Sequence, residues 1–239
     1  MSDLIIKNLC KSFGEKQVLK DYSVEIKAGK IVWLRADSGA GKTTLFRIIA
    51  GLETADSGEV SFDGEVVYCF QEDRLIDGLS AVDNILAVLS GCVKKGVIEG
   101  RFGNKAELVE IIKVHLAELG LSGDDILKPV SELSGGMKRR VALARAVCYM
   151  TISRCDVAKG SHRTAKELHS VGGTDGKGKS KLLLLDEPFT GLDEANKVKA
   201  MEYVMRHVSM CSNEVTVLIA SHEMVENNGV FTIETACLD

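Results

Sequence analysis

The sequence predicts an α/β fold in which a parallel-sheet core is interrupted by a group of helices. Two continuous apolar runs, Leu182–Leu185 and Val215–Ala220, have the composition of strands that are buried on both faces. A third apolar run, Ile31–Leu34, is followed by a glycine-containing loop and by helix-spaced apolar residues over Thr43–Ala50. Buried strands that alternate with helices in this way are typical of a parallel sheet.

The residue pattern of the N-terminal third of the chain predicts shorter strands and turns. Leu4–Leu9 and Tyr22–Ile26 alternate apolar and polar residues, as half-buried strands do, and Lys27–Lys30 predicts a turn. Gly58–Phe70 is predicted to form two strands that meet at Asp63-Gly64, a dipeptide favoured in hairpins. The chain is therefore expected to begin with a β-rich region.

Residues 72–150 predict a helical subdomain. Apolar residues recur at helical spacing over Ala81–Leu89 and Ala106–Leu119, and an arginine- and alanine-rich helix is predicted from Ser134 to about Tyr149. The alternation of strands and helices resumes afterwards, with a further helix predicted over Glu194–Val208.

Residues 151–180 differ in composition from the rest of a predicted single domain over residues 1–239. They are rich in glycine, lysine and arginine, which predicts a mobile surface loop. Two interpretations stay open: a surface insertion that the fold tolerates, or a basic site for an acidic partner or lipid headgroups.

Charge and cysteine content narrow the class of protein. A net charge of -4 does not favour nucleic acid as the main ligand. The seven cysteines lack metal-type spacing, which indicates reduced thiols in a cytoplasmic protein. The N-terminus does not resemble a signal peptide, and no apolar run approaches the roughly 20 residues that span a bilayer. We therefore expect any role at a membrane to require docking to another protein.

The segment Ala36–Thr44, the phosphate loop, predicts a nucleotide site between a strand and a helix. Its glycines allow backbone N–H groups to turn towards phosphate oxygens, and the helix points its positive end at them. Lys42 would reach the β- and γ-phosphates, and the Thr43 hydroxyl would coordinate Mg²⁺. The residues expected around the nucleotide are Ser38, Gly39, Ala40, Gly41, Lys42, Thr43 and Thr44. The alternative is a chance Gly-Lys-Thr turn before a helix.

Ala36 departs from the phosphate-loop pattern, which has glycine at this position. If the position requires a positive φ or a close approach, the methyl group costs on the order of 1 kcal/mol. We therefore expect a loop that is weakened but retains its phosphate cradle.

Two carboxylates follow the apolar strand Leu182–Leu185. A carboxylate at the carboxyl end of a buried parallel strand lies at the ligand-binding edge of the sheet. Asp186 can hold Mg²⁺, and Glu187 can orient and polarise the attacking water. A strand-ending turn with solvated acids is the alternative, and the phosphate loop upstream argues against it.

Ser134, Gly135 and Gly136 open a predicted helix and so form a second anion-binding sequence. One nucleotide in one domain does not need two such sites, whereas a dimer does if each copy closes over the γ-phosphate of the other. Ser134 is also expected to cap the helix, which is compatible with a phosphate contact.

In their order along the chain, these motifs resemble the ATP-binding cassette family. The resemblance extends over nearly the whole chain and includes an aromatic loop, a Q-loop, a signature motif, a D-loop and a switch histidine at Lys11–Gly14, Phe70–Asp73, Leu133–Met137, Thr190–Asp193 and Ser221-His222. It implies a P-loop NTPase core with a parallel sheet, an N-terminal antiparallel β-subdomain and an inserted helical subdomain. Met137 stands where glutamine is more usual, and residues 151–180 lengthen a connection that is normally short.

The resemblance assigns roles to three further residues. Phe13 should stack on adenine, with a core phenylalanine in a first hairpin as the alternative. Gln71 is implied to contact Mg²⁺ and the water and to sense the helical subdomain. His222 is implied to contact the γ-phosphate and to act in catalysis with Lys42 and Glu187.

Partners also follow from the resemblance. Two cassettes, as a homodimer or a pseudo-symmetric pair, would sandwich two ATP molecules between the catalytic residues of one and Ser134 and Gly136 of the other. The pair would drive transmembrane permease subunits from the inner face of the cell membrane, and a substrate-binding protein would act indirectly. The motifs look most like those of bacterial importers for nitrate, sulfonates or taurine, which implies a small anionic solute.

Other functions stay open at the level of the sequence. They are the ATPase of an efflux or lipoprotein-release system, a soluble cassette that acts on DNA or ribosomes, and a nucleotide-binding regulatory cassette with weak turnover. Only Ala36 supports the regulatory cassette, and Glu187 and His222 argue against it.

Overall fold

The computed structural model describes residues 2–37, 39–94, 105–152, 180–211, 215–222 and 234–238, without the side chains of residues 91–94. The strands are β1 (Leu4–Phe13), β2 (Lys16–Ile26), β3 (Ile31–Arg35), β4 (Ser57–Ser61), β5 (Gly64–Cys69), β6 (Ser180–Asp186), β7 (Val215–Ala220) and β8 (Glu234–Cys237). The α-helices are α1 (Lys42–Ile49), α2 (Ala81–Lys94), α3 (Lys105–Glu118), α4 (Gly135–Ile152) and α5 (Glu194–Ser209). Short 3₁₀ helices occur at Gly123–Ile126 and Val130–Glu132.

These elements divide into two compact units. The described residues of the first come from Met1–Gln71, Lys179–Pro188 and Asn213–Asp239, and those of the second from Glu72–Gly178 and Phe189–Ser212. The first unit holds the described strands and α1, and the second holds α2 to α5. Most of the predicted insertion at 151–180 lies outside the described residues. None of the helices in the described ranges is long and apolar enough to cross a bilayer.

The parallel sheet of the first unit has the strand order β5-β6-β7-β3-β8. Every residue of β6 and β7 is buried, as their continuous apolar sequences predicted. The register pairs Cys69 with Leu185, Asp186 with Ala220, and Leu34 with Ala220. The carboxyl ends of β5, β6, β7 and β3 therefore lie side by side.

The antiparallel sheet of the first unit has the order β2-β1-β4, which confirms the predicted β-subdomain. The hairpin predicted around Asp63-Gly64 is wrong, because β4 pairs with β1 and β5 pairs with β6 in the other sheet. Gly64 lies so close to β6 that a Cβ there would be 2.2 Å from the carbonyl oxygen of Ser180. A turn dipeptide indicates a change of direction, but it does not determine which strands pair.

A buried polar cluster joins α3 to α5 within the second unit. Nδ1 of His115 lies 2.7 Å from the hydroxyl of Tyr203, and Nε2 of His207 lies 3.0 Å from Oε2 of Glu118. Burial acts to raise the pKa of Glu118, but the hydrogen bond with His207 and the positive charges nearby outweigh it and lower the pKa. Helices α3 and α5 are thus linked by paired polar groups.

Helix α5 begins with a side-chain cap. The carboxylate of Asp193 accepts a hydrogen bond of 2.9 Å from the backbone N–H of Asn196, and this contact lowers the pKa of Asp193. We expect Asp193→Ala to lower the free energy of unfolding by about 1 kcal/mol in urea denaturation, because the N–H loses its partner. Asp193→Asn keeps an accepting oxygen and should retain most of the stability. An equal loss in both variants would contradict the capping role.

Candidate active site

The carboxyl edge of the parallel sheet gathers most of the residues of the first unit that the sequence assigned to nucleotide chemistry. Strand β3 leads into the phosphate loop, β5 into Gln71, β6 into Asp186 and Glu187, and β7 into Ser221-His222. In open α/β sheets this edge is where ligands bind. Gln71 is exposed two residues beyond the end of β5.

The phosphate loop uses backbone conformations that glycine adopts without strain. Gly39 and Gly41 have φ values of 79° and 96°, and α1 begins directly after Gly41. A Cβ on Gly41 would lie 2.7 Å from Cγ1 of Val18 and 3.0 Å from its carbonyl oxygen. Ala40 follows Gly39 in the turn, and Thr43 and Thr44 are half-buried in the first turn of α1. Ser38 lies outside the described residues.

The close approach at Gly41 supports a prediction. We expect Gly41→Ala to weaken ATP binding on the order of 10²-fold, because a positive φ and a steric overlap must both be accommodated. Gly39→Ala is the matched control, since its φ is also positive but its Cβ would meet no atom within 4 Å. Titration of the fluorescence of Trp33, the single tryptophan, measures both affinities. Equal losses in the two variants would show that the contact with Val18 is unimportant.

Lys42 lies inside the phosphate loop. The residue is 7% exposed, and its Nζ donates hydrogen bonds of 2.8 Å to the carbonyl oxygen of Ala36 and 3.1 Å to that of Asp37. The ammonium group is thus held by neutral acceptors of the loop itself. Phosphate oxygens are stronger acceptors for a cation than these carbonyls, so the lysine is placed to exchange them for an anionic ligand.

Ala36 does not carry the backbone cost that the sequence suggested. Among the described residues, positive φ values outside glycine occur at Asn8, Asp21, Arg74 and Glu187, and Ala36 is not one of them. Its partly buried methyl group packs against the hydrophobic core of the first unit. Alanine therefore fits this position without left-handed strain.

Asp186 is almost completely buried, at 1% exposure, at the end of β6. Its Oδ2 accepts a hydrogen bond of 2.8 Å from the hydroxyl of Tyr68 on the adjacent strand β5. Tyr68 has no functional signal in the sequence, because a tyrosine three residues before Gln71 gains significance only when β5 is known to pair with β6.

Glu187 and His222 meet at the same edge. Oε2 of Glu187 lies 3.0 Å from Nδ1 of His222, with 12% of the glutamate side chain and 54% of the histidine side chain exposed. Glu187 has a φ of 47°, which is uncommon outside glycine, and its N–H donates a hydrogen bond of 2.7 Å to the carbonyl oxygen of Ala220. The indole of Trp33 donates a hydrogen bond of 3.3 Å to the carbonyl oxygen of Ser221. Hydrogen bonds with β7 and β3 therefore hold the backbone of Glu187 and of Ser221, the residue before His222.

Phe13 lies at the end of β1 and is 50% exposed, so the alternative of a core phenylalanine is wrong. Nζ of Lys11 lies 5.0 Å from the centroid of its ring, within the range of a cation–π contact. Lys11 in turn forms ion pairs with Glu53 at 3.0 Å and Asp56 at 3.3 Å. The Phe13 ring thus contacts the Lys11 ammonium group and remains accessible to a planar ligand group.

The signature motif lies in the second unit, at the start of α4. Oγ of Ser134 accepts a hydrogen bond of 3.3 Å from the N–H of Met137, which is the expected cap, and Ser134 and Gly135 are exposed. A Cβ on Gly136 would lie 3.2 Å from the carbonyl oxygen of Gly191 in the D-loop. Glycine therefore permits the start of α4 to pack closely on the D-loop.

Comparison with known proteins agrees with this arrangement. Residues 19–151 match the ABC transporter family model. The chain is 33% identical over 240 residues to an aliphatic sulfonates import ATP-binding protein of Nocardia farcinica, with 97% of this chain and 80% of that protein covered. It is 32% identical over 236 residues to a sulfate/thiosulfate import ATP-binding protein of Halalkalibacterium halodurans, where 93% of this chain matches 55% of that protein. The chain thus spans about half the length of the second relative.

A solved structure has the same fold. It is a dimeric ATP-binding cassette in a post-hydrolysis state with ADP and Pi, with a TM-score of 0.66 and 23% identity over 92% of this chain and 88% of that chain. This likeness supports the α/β architecture, and the sequence matches support the family. The chain therefore belongs to the ABC transporter family, as an ATP-binding cassette.

Proposed function

We propose that this chain binds ATP with Mg²⁺ and hydrolyses it to energise an importer of a small anionic solute. The observation that carries the proposal is the shared sheet edge, where the loop that holds Lys42 lies beside the strand ends that hold Asp186, Glu187 and His222. Phosphoryl transfer requires this combination of a phosphate cradle, a metal ligand and a group that orients water.

The nucleotide would bind along the phosphate loop. Backbone N–H groups of Gly39, Ala40 and Gly41, with the positive end of α1, suit the phosphate oxygens. The ammonium group of Lys42 suits the β- and γ-phosphates, Thr43 and Thr44 offer hydroxyls in the first turn of α1, and Ser38 completes the proposed set. The accessible ring of Phe13 offers a surface on which adenine can stack.

The residues assigned to Mg²⁺ are all oxygen donors, which is the donor set that this cation prefers. They are the Thr43 hydroxyl, the Gln71 amide oxygen and the Asp186 carboxylate. Asp186 fits this role because it lies at the carboxyl end of β6, at the same edge of the sheet as the phosphate loop, and its carboxylate accepts a hydrogen bond from Tyr68. When bound, Mg²⁺ would neutralise charge on the transferring phosphoryl group.

Glu187 is proposed to orient the attacking water and His222 to contact the γ-phosphate. Their separation of 3.0 Å lets the imidazole and the carboxylate hold each other in place. Residues Ser134, Gly135 and Gly136 are proposed to close over the nucleotide of a second cassette, since their N–H groups open α4. Each active site would then be completed by the partner subunit.

Transport partners are inferred from the relatives. Import ATP-binding proteins for sulfonates and sulfate match this chain, which supports permease subunits at the inner face of the cell membrane and a substrate-binding protein as an indirect partner. The ordinary φ of Ala36 removes backbone strain as an argument for the regulatory alternative.

The direct test is phosphate release by the purified chain with ATP, measured with Mg²⁺ and after addition of EDTA. We expect Mg²⁺-dependent turnover that Ala36→Gly leaves nearly unchanged. Import is tested by reconstituting this chain with the permease whose gene lies nearest to its own. The uptake of a sulfonate is then compared with the uptake of an uncharged sugar. ATP binding without turnover, both alone and in that assembly, would contradict the proposed function.

A further inference from the structure

Tyr68 contacts groups from three motifs of the first unit. Its ring packs edge-on against Phe46 of α1, the helix that follows the phosphate loop, with centroids 6.0 Å apart and planes at 81°. The ring also stacks on Phe70 of the Q-loop, with centroids 4.1 Å apart and planes at 30°. Two rigid neighbours therefore fix the ring, and with it the direction of the hydroxyl.

The hydroxyl of Tyr68 is directed at Asp186. It donates a hydrogen bond of 2.8 Å to Oδ2 of a carboxylate that is 1% exposed. The last side-chain torsion of aspartate, which rotates the carboxylate, is only weakly restricted by the residue itself. A hydrogen-bond donor on another residue can therefore determine the orientation of the carboxylate. A hydrogen bond to a charged acceptor is strong enough to do this in a buried setting.

We propose that Tyr68 is a positioning residue for the divalent cation, and this inference rests on the proposed function. By holding Oδ2, it orients the other oxygen of Asp186 for the cation. The packing on Phe46 and Phe70 couples that orientation to the phosphate-loop helix and to the strand end that carries Gln71. Residues that support a metal ligand in this way contribute measurably to metal affinity.

The test compares Tyr68→Phe with Tyr203→Phe as its matched control. The Tyr203 hydroxyl also contacts a specific partner, His115, but it lies in the second unit. Both variants keep the aromatic ring and lose the contacts of one internal hydroxyl group, with Asp186 in one case and with His115 and Cys148 in the other. Mn²⁺ binding to the ADP-bound protein is measured by electron paramagnetic resonance, so no hydrolysis is needed. We expect Tyr68→Phe to weaken Mn²⁺ affinity about tenfold. Tyr203→Phe should leave it unchanged.

A kinetic measurement separates positioning from a general loss of structure. In Tyr68→Phe, the Mg²⁺ concentration for half-maximal phosphate release should rise by the same factor, while KM for ATP at saturating Mg²⁺ stays close to that of the wild type. Unchanged or tighter Mn²⁺ binding in Tyr68→Phe, with normal binding by the wild type, would overturn this inference alone. A wild-type protein that binds no Mn²⁺ with ADP would overturn the proposed function as well.

Discussion

Replacement of Glu187 with glutamine is expected to remove most ATP hydrolysis while ATP binding persists. The amide is isosteric with the carboxylate but cannot accept a proton from the attacking water, and loss of such a group lowers kcat on the order of 10²–10⁴-fold. If hydrolysis reopens the closed pair of cassettes, the variant should also accumulate as a dimer with ATP. Phosphate release and static light scattering measure the two effects.

The matched control for Glu187→Gln is Glu194→Gln, which changes an exposed carboxylate in the first turn of α5. This variant should hydrolyse ATP at the wild-type rate and should not accumulate as a dimer. A Glu187→Gln protein that stays monomeric with saturating ATP would count against the sandwich mechanism for the isolated subunit. Turnover at the wild-type rate would remove Glu187 from the catalytic role.

Replacement of Lys42 with alanine is expected to reduce both ATP binding and turnover. The ammonium group lies inside the phosphate loop and donates hydrogen bonds to the carbonyl oxygens of Ala36 and Asp37. Its removal takes a positive charge away from the phosphates and leaves these two carbonyls without this donor. Loss of such a group lowers kcat about 10²- to 10³-fold. Trp33 fluorescence measures ATP affinity, and phosphate release measures turnover.

Lys181→Ala is the matched control for Lys42→Ala, because its side chain is also buried, at 5% exposure, and pairs with Glu65 at 3.1 Å. Lys181 lies near the amino end of β6, at the opposite end of the strand from Asp186. This variant should lose stability because its ion pair with Glu65 is removed, and it should retain ATP affinity. Similar losses of ATP affinity in both variants would attribute the effect of Lys42 to folding.

The sequence correctly predicted the helices and strands whose buried positions form a clear apolar pattern in their own residues. Strands β6 and β7 contain continuous apolar runs, and α5 shows apolar periodicity, so local patterns predicted each of them. Strand β8 (Glu234–Cys237) was missed because it is short, mostly exposed and held by its pairing with β3. An edge strand of this kind depends on its neighbour more than on its own composition.

The chemical groups available to this protein follow from its residue types and their order: the Gly-Lys-Thr loop, the strand-ending carboxylates and the motif order that indicated the family. Which of these groups meet depends on how the strands pair in the folded chain. The contact between Tyr68 and Asp186 exists because β5 joins the parallel sheet, and that pairing joins residues far apart in the chain. The positive φ of Glu187 and the ordinary φ of Ala36 are likewise set by contacts of the folded backbone, because a residue's type restricts its torsions without choosing among those allowed.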